Sequence, residues 1–96
     1  MKGIFSRIRQ LIEQNKYVIG QHAAERLEER GIIEWQVVAG MVGARLITER
    51  PKSQPHPSVE IMEMLPDGTE FKAIWSYLPR SDVAKLVTVH FFVESH

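Results

Sequence analysis

Cysteine is absent from the 96 residues, which excludes a disulfide framework, a thiol nucleophile and any thiolate metal site. It also fits a reducing compartment. No apolar run approaches the roughly 18 residues that a membrane span needs. The basic start of the chain is broken by Arg7, Arg9, Glu13 and Lys16, so no signal-peptide core is expected there and a cytoplasmic location is. Charge of one sign is missing as well. Twelve Lys and Arg balance twelve Asp and Glu, so the composition does not announce a nucleic-acid partner. The basic excess lies in the first half of the chain, mostly before residue 17, and the second half leans acidic. Short motifs of high specificity are lacking too: no phosphate loop, no G-x-G-x-x-G, no G-x-S-x-G and no H-E-x-x-H. His22, His56, His90 and His96 are too scattered for metal-ligand spacing along one element.

What remains is a chain of ordinary hydrophobicity, 44% apolar and 25% charged, sufficient for a single domain over residues 1–96. Ile4, Phe5, Ile8, Leu11 and Ile12 follow helical spacing, so residues 3–15 are expected as an amphipathic helix with Asn15 as its stop. This helix could equally cover the domain's own sheet or enter a partner's groove. Tyr17-Val18-Ile19 reads as a brief strand or an extended connector. A second helix is expected from about 21 to 30, ended by Gly31, and a third from about 34 to 41 with Trp35, Val38 and Met41 as its apolar stripe. Ile33 stands where a Ser, Thr or Asp would cap that helix.

The second half changes period. Residues 45–49 read as a strand or its lead-in, and the three prolines within 51–57 as a loop. Strands are expected at 59–65, 69–78 and 85–93, joined by Pro66-Asp67-Gly68 and by Pro79–Asp82. Alternation groups Phe71, Ala73, Trp75 and Tyr77 on one face of the middle strand. On the last strand it groups Val87, Val89, Phe91 and Val93 against Leu86, Thr88, His90 and Phe92. The expected architecture is α+β: two to three N-terminal helices packed on a three- to four-stranded antiparallel meander.

His22, Arg26 and Arg30 recur at intervals of four, which stacks them along one helical face with a drift of about 40° per step. Two guanidiniums beside a histidine suit an anion and proton transfer. The same residues also fit ordinary surface pairing with Glu29 and neighbouring acids. His90 and Thr88 share one side of the last strand. They would meet the helical stripe only if that helix packed over their face, and Lys72 would join only from the matching face of the middle strand.

The run H-A-A-E-R-L-E-E-R-G-I, residues 22–32, resembles the signature of the bacterial family of domain of unknown function 4258, His-Ala-x-x-Arg-Met-x-x-Arg-Gly-Ile. The resemblance extends over residues 17–93 through Pro57, the F-K-A-I-W strand and the T-V-H strand, and leaves residues 1–16 outside as an added helix. That family in turn resembles RelE-type ribonuclease toxins. The resemblance implies RNA cleavage without metal or cofactor, by attack of a ribose 2′-hydroxyl on the adjacent phosphate. His22 and His90 would then act as acid and base, Arg26 and Arg30 would hold the phosphate, and Thr88 would lie beside them. The implied partners are RNA or the ribosome, and an antitoxin. The alternative is a non-catalytic interaction or regulatory module of the same fold, for which a homodimer is one assembly to test.

Overall fold

The α1 helix, Ile4–Glu13, carries the i, i+3, i+4 spacing of Ile8, Leu11 and Ile12 into the core, where all three are buried. A computed structural model describes residues 3–92; Val93 and His96 lie outside the described residues. Among those described, α1 is followed by β1 (Tyr17–Ile19), α2 (Gln21–Arg30), α3 (Glu34–Ala39), a 3-10 turn (Gly40–Gly43), β2 (Arg45–Arg50), β3 (Ser58–Met64), β4 (Glu70–Leu78) and β5 (Val83–Phe91). None of the helices is long and apolar enough to cross a membrane.

Helix ends follow local chemistry. Asn15 takes a left-handed φ of 60° just past α1, and the Lys16 N–H donates back to the Leu11 carbonyl. Gly31 closes α2 at φ 67° with the two bonds of a Schellman motif, Ile32 N–H to the Leu27 carbonyl and Gly31 N–H to that of Glu28. Leu27 and Ile32, the pair that such a motif brings together, are both buried. Ile33 offers no capping acceptor, so the Gln36 side chain takes the orphan Ile33 N–H at 3.0 Å. After six residues α3 tightens into the 3-10 turn. The buried residues there are Val37 and Met41, whereas Trp35, expected in the stripe, is 63% exposed.

The sheet corrects the expected meander. It has five strands in the order β1-β5-β4-β3-β2, and β1 runs parallel to β5 while the other pairs are antiparallel. Short turns indicate antiparallel neighbours, whereas a parallel partner arrives through a long crossover that alternation does not reveal. Here the crossover spans everything from α2 to β4. Tyr17 opposite Ala84 sets its ring edge-on to Trp75, with centroids 6.2 Å apart.

A second correction concerns faces. The β4–β5 register slips between Ile74 and Trp75, which leaves Val87 as an extra residue on β5. The phase of β5 therefore switches at Val87. Ala84 and Leu86 share the core face with Val89 and Phe91, and Leu86 is fully buried instead of facing away with Thr88 and His90. A similar bulge at Ile47 interrupts β2.

The helices bury their apolar side chains against one face only. Ile8, Leu11 and Ile12 of α1, Ala23 and Leu27 of α2, and Val37 of α3 join Val59, Ile61, Phe71, Ala73, Trp75, Leu86 and Val89 in a single core. Two polar contacts fasten α1. Glu49 accepts the Phe5 N–H at 2.9 Å, and Arg7 donates to Asp82 at 2.5 Å in the β4–β5 turn. Tyr77 Oη also donates to Asp82, at 2.8 Å. Arg7 and Tyr77 together hold the Asp82 carboxyl below its ordinary range. The apolar stripe of α1 is thus consumed inside the domain.

Candidate functional site

Register, not sequence distance, assembles the site. Directly opposed residues share a face, and the ladders place Arg45, Met62, Lys72 and His90 in one row across β2, β3, β4 and β5. The next row is Thr48, Glu60, Ile74 and Thr88; the third holds Arg50, Ser58, Ser76 and Lys85. All three rows lie opposite the helix-packed face, because their neighbours Ile61, Ala73 and Val89 are the buried core residues. Most of these side chains are half-buried or exposed, with Ser58 and Thr88 buried.

Electrostatics ties the rows together. Glu60 pairs with Arg50 on one side and with the Lys72 ammonium on the other, at 3.4 Å. The Glu60 side chain is only 13% exposed, so it anchors both cations in position rather than competing for solvent. Arg45, Arg50, Lys72 and Lys85 share this face with Glu60 and Glu70 as the acidic side chains. A chain of zero net charge therefore concentrates positive charge on one surface.

The residues expected from sequence divide into two sets. Thr88 and His90 stand on the sheet face just described, directly opposite Ile74 and Lys72. The Thr88 hydroxyl is buried without a hydrogen-bond partner among the described residues. His22, Arg26 and Arg30 belong to α2, which packs along β5 but sends Ala23 and Leu27 into the core on the other face. His22 is exposed. Arg26 is engaged by Glu29, the i,i+3 pairing that the surface reading anticipates, and Arg30 lies 4.0 Å from the same carboxylate.

Sequence reasoning passed over Arg45, Arg50, Glu60 and Lys85, whose shared face depends on strand register. It also passed over Glu63. Alternation from Val59 and Ile61 puts Glu63 on the core face, 2% exposed, with neither carboxylate oxygen hydrogen-bonded among the described residues. Gly40 covers it, and a Cβ there would collide with its Oε1. Burial pushes the Glu63 carboxyl up to about 8. A signal was available, since Glu63 interrupts the inward set Val59, Ile61, Leu65 of an otherwise apolar strand pattern.

These features define a small α+β domain whose helices cover one side of a mixed five-stranded sheet and leave a cationic, histidine-bearing surface on the other. Residues 19–91 match the model of the family described as Domain of unknown function (DUF4258), and the chain belongs to that family. Comparison with curated proteins and with solved structures gives no match. The matched stretch begins inside β1, so α1 precedes it even though Ile8 and Leu11 are fully buried in the shared core.

Proposed function

We propose that this domain binds and cleaves RNA on the helix-free face of its sheet, as a toxin-like endoribonuclease. The observation that carries the reading is the row Arg45–Met62–Lys72–His90, which sets a proton-transfer group directly across from an ammonium on a surface rich in positive charge. The resemblance to RelE-type ribonuclease toxins that the sequence suggests for the family points to the same reaction class.

His90 takes the proton of the ribose 2′-hydroxyl as that oxygen bonds to the neighbouring phosphorus. The bond from phosphorus to O5′ breaks, and O5′ takes a proton from water. The products are a 2′,3′-cyclic phosphate and a 5′-hydroxyl. Lys72 faces the charge that develops on the phosphoryl oxygens, and Glu60 keeps its ammonium in place. Arg45, Arg50 and Lys85 hold flanking phosphates. Arg26 and Arg30 extend the cationic track along the α2 flank of β5, and the exposed His22 lies beside them, outside the proton transfer. An acidic protein that covers this face would act as the antitoxin by competing with RNA.

The test is incubation of the full chain with end-labelled single-stranded RNA in EDTA, beside His90→Ala, Lys72→Met and His22→Ala. Cleavage to cyclic-phosphate ends is expected, lower by about 10²- to 10⁴-fold in His90→Ala, the range for losing a general base. Equal cleavage by the parent and His90→Ala removes His90 from the chemistry. Absence of both binding and cleavage overturns the reading.

A further inference from the structure

We propose that the groove at the end of the β4–β5 ladder, lined by Thr69, Glu70, Phe91 and Phe92, is a base-binding subsite and that the base it selects is guanine. This rests on the RNA reading above. The groove has a volume of about 190 Å³, open to solvent. Glu70 lies two residues before Lys72 on β4, and Phe92 two residues after His90, just past the end of β5. One two-residue strand repeat is about 7 Å, the order of the reach from a phosphate to the base of the same nucleotide.

The lining chemistry chooses the base end of a nucleotide. Phe92 is 48% exposed and lines the groove, where its ring offers a face for stacking. The exposed Glu70 carboxylate accepts hydrogen bonds and donates none. It repels a phosphate from the groove while the Lys72 row attracts one. Guanine presents N1–H and the 2-amino group side by side, so it meets both carboxylate oxygens at once. Cytosine and adenine offer one amino group beside an acceptor nitrogen, and uracil sets its single N–H between two carbonyls. The carboxylate thus discriminates for guanine by pairing and against uracil by repulsion.

The wall is built rigidly. Asp67 Oδ1 accepts the Thr69 N–H at 2.9 Å, the Gly68 N–H donates to the Leu65 carbonyl at 2.9 Å, and the Leu65 N–H donates to the Thr69 carbonyl at 2.8 Å. Gly68, at φ 89°, supplies the positive dihedral that this turn requires. Glu70 then enters the ladder opposite Met64. A preformed wall loses little freedom when it meets a base.

Amide NMR of the full chain, titrated separately with guanosine 3′-monophosphate and uridine 3′-monophosphate, tests the subsite without relying on turnover. The amides of Thr69, Glu70 and Phe92 are expected to shift at guanosine nucleotide concentrations at least about tenfold lower than for uridine nucleotide. Glu70→Gln should remove most of that difference, and Phe92→Ala should weaken both nucleotides by about tenfold. Both positions are exposed, and an unchanged amide spectrum verifies that the variants fold. Shifts at Lys72 and His90 with no base preference overturn the subsite and leave the cleavage reading standing. Guanine-selective shifts in a protein that never cuts RNA overturn cleavage alone. No response to either nucleotide at the groove overturns the subsite.

Discussion

Lys72 and His90 face each other directly across β4 and β5, on the side of the sheet away from the helices. Separate roles for the two residues predict separable defects. Lys72→Met should weaken RNA binding and reduce the slope of log affinity against log salt by about one, since one phosphate contact is lost. His90→Ala should lower the cleavage rate with a smaller effect on that slope. Filter binding between 50 and 200 mM salt, with single-turnover cleavage alongside, separates the two. Identical slopes for the parent and Lys72→Met would remove Lys72 from the phosphate track.

The α2 stripe has its own test. Glu29 occupies Arg26 and lies near Arg30, yet it is half-exposed, so the pairing adds only about 0.2–0.5 kcal/mol to the helix. Glu29→Gln should therefore barely change stability. If the stripe extends the RNA track, the same substitution frees Arg26 and raises RNA affinity, most visibly at low salt. Unchanged affinity assigns Arg26 to helix surface pairing.

Burial of α1 predicts that the helix is part of the folding unit. Ile8 and Leu11 are fully buried in the core with Leu86 and Trp75. Leu11→Ala should cost about 2–5 kcal/mol, the range for deleting a buried leucine side chain. Removal of residues 1–16 should abolish cooperative unfolding in urea. Asp82→Ala, which releases the partly exposed Arg7 and Tyr77 contacts, should cost less than Leu11→Ala. A truncated protein that unfolds cooperatively at the parent's midpoint would make α1 an accessory segment and restore it as an interface.

How far the residues announced this structure depends on the range of each interaction. Gly31, Asn15 and Pro66-Asp67-Gly68 act on their own few residues, and each turn or stop stands where its chemistry predicts. Leu86 and Trp35 depart from the faces that their local patterns predict. One extra residue at Val87 reverses the phase of alternation, and the face that α3 and its 3-10 extension bury is that of Val37 and Met41, which leaves Trp35 outside. The Arg45–Met62–Lys72–His90 row needs three registers at once, so no window of sequence contains it. The family signature, by contrast, is local and legible. Two of its residues, Ala23 and Leu27, are explained by core packing, and Gly31 by its left-handed cap.

Glu63 makes stability depend on pH in a direction opposite to that of most carboxylates. Its carboxyl ionises near 4.5 in the unfolded chain and near 8 when buried, and desolvation is the cause. The folded state therefore holds one more proton between those values. Stability contributed by this proton is fully present below pH 4.5 and is lost as pH rises towards 8. A shift of this size amounts to about 3 kcal/mol lost between pH 5 and pH 8. Urea unfolding of the parent at pH 5, 6, 7 and 8 should show this decline superimposed on the other titrating groups. Glu63→Gln keeps the shape under Gly40 without an ionisable group, so the difference between parent and variant should shrink in the parent's favour towards pH 5 and grow against it towards pH 8. Gly40→Ala drives a methyl into Glu63 Oε1 and should destabilise at every pH, and a smaller partner in Glu63→Ala/Gly40→Ala should recover part of that loss. Parallel pH profiles for the parent and Glu63→Gln would mean that Glu63 ionises in the folded protein as readily as in the unfolded chain.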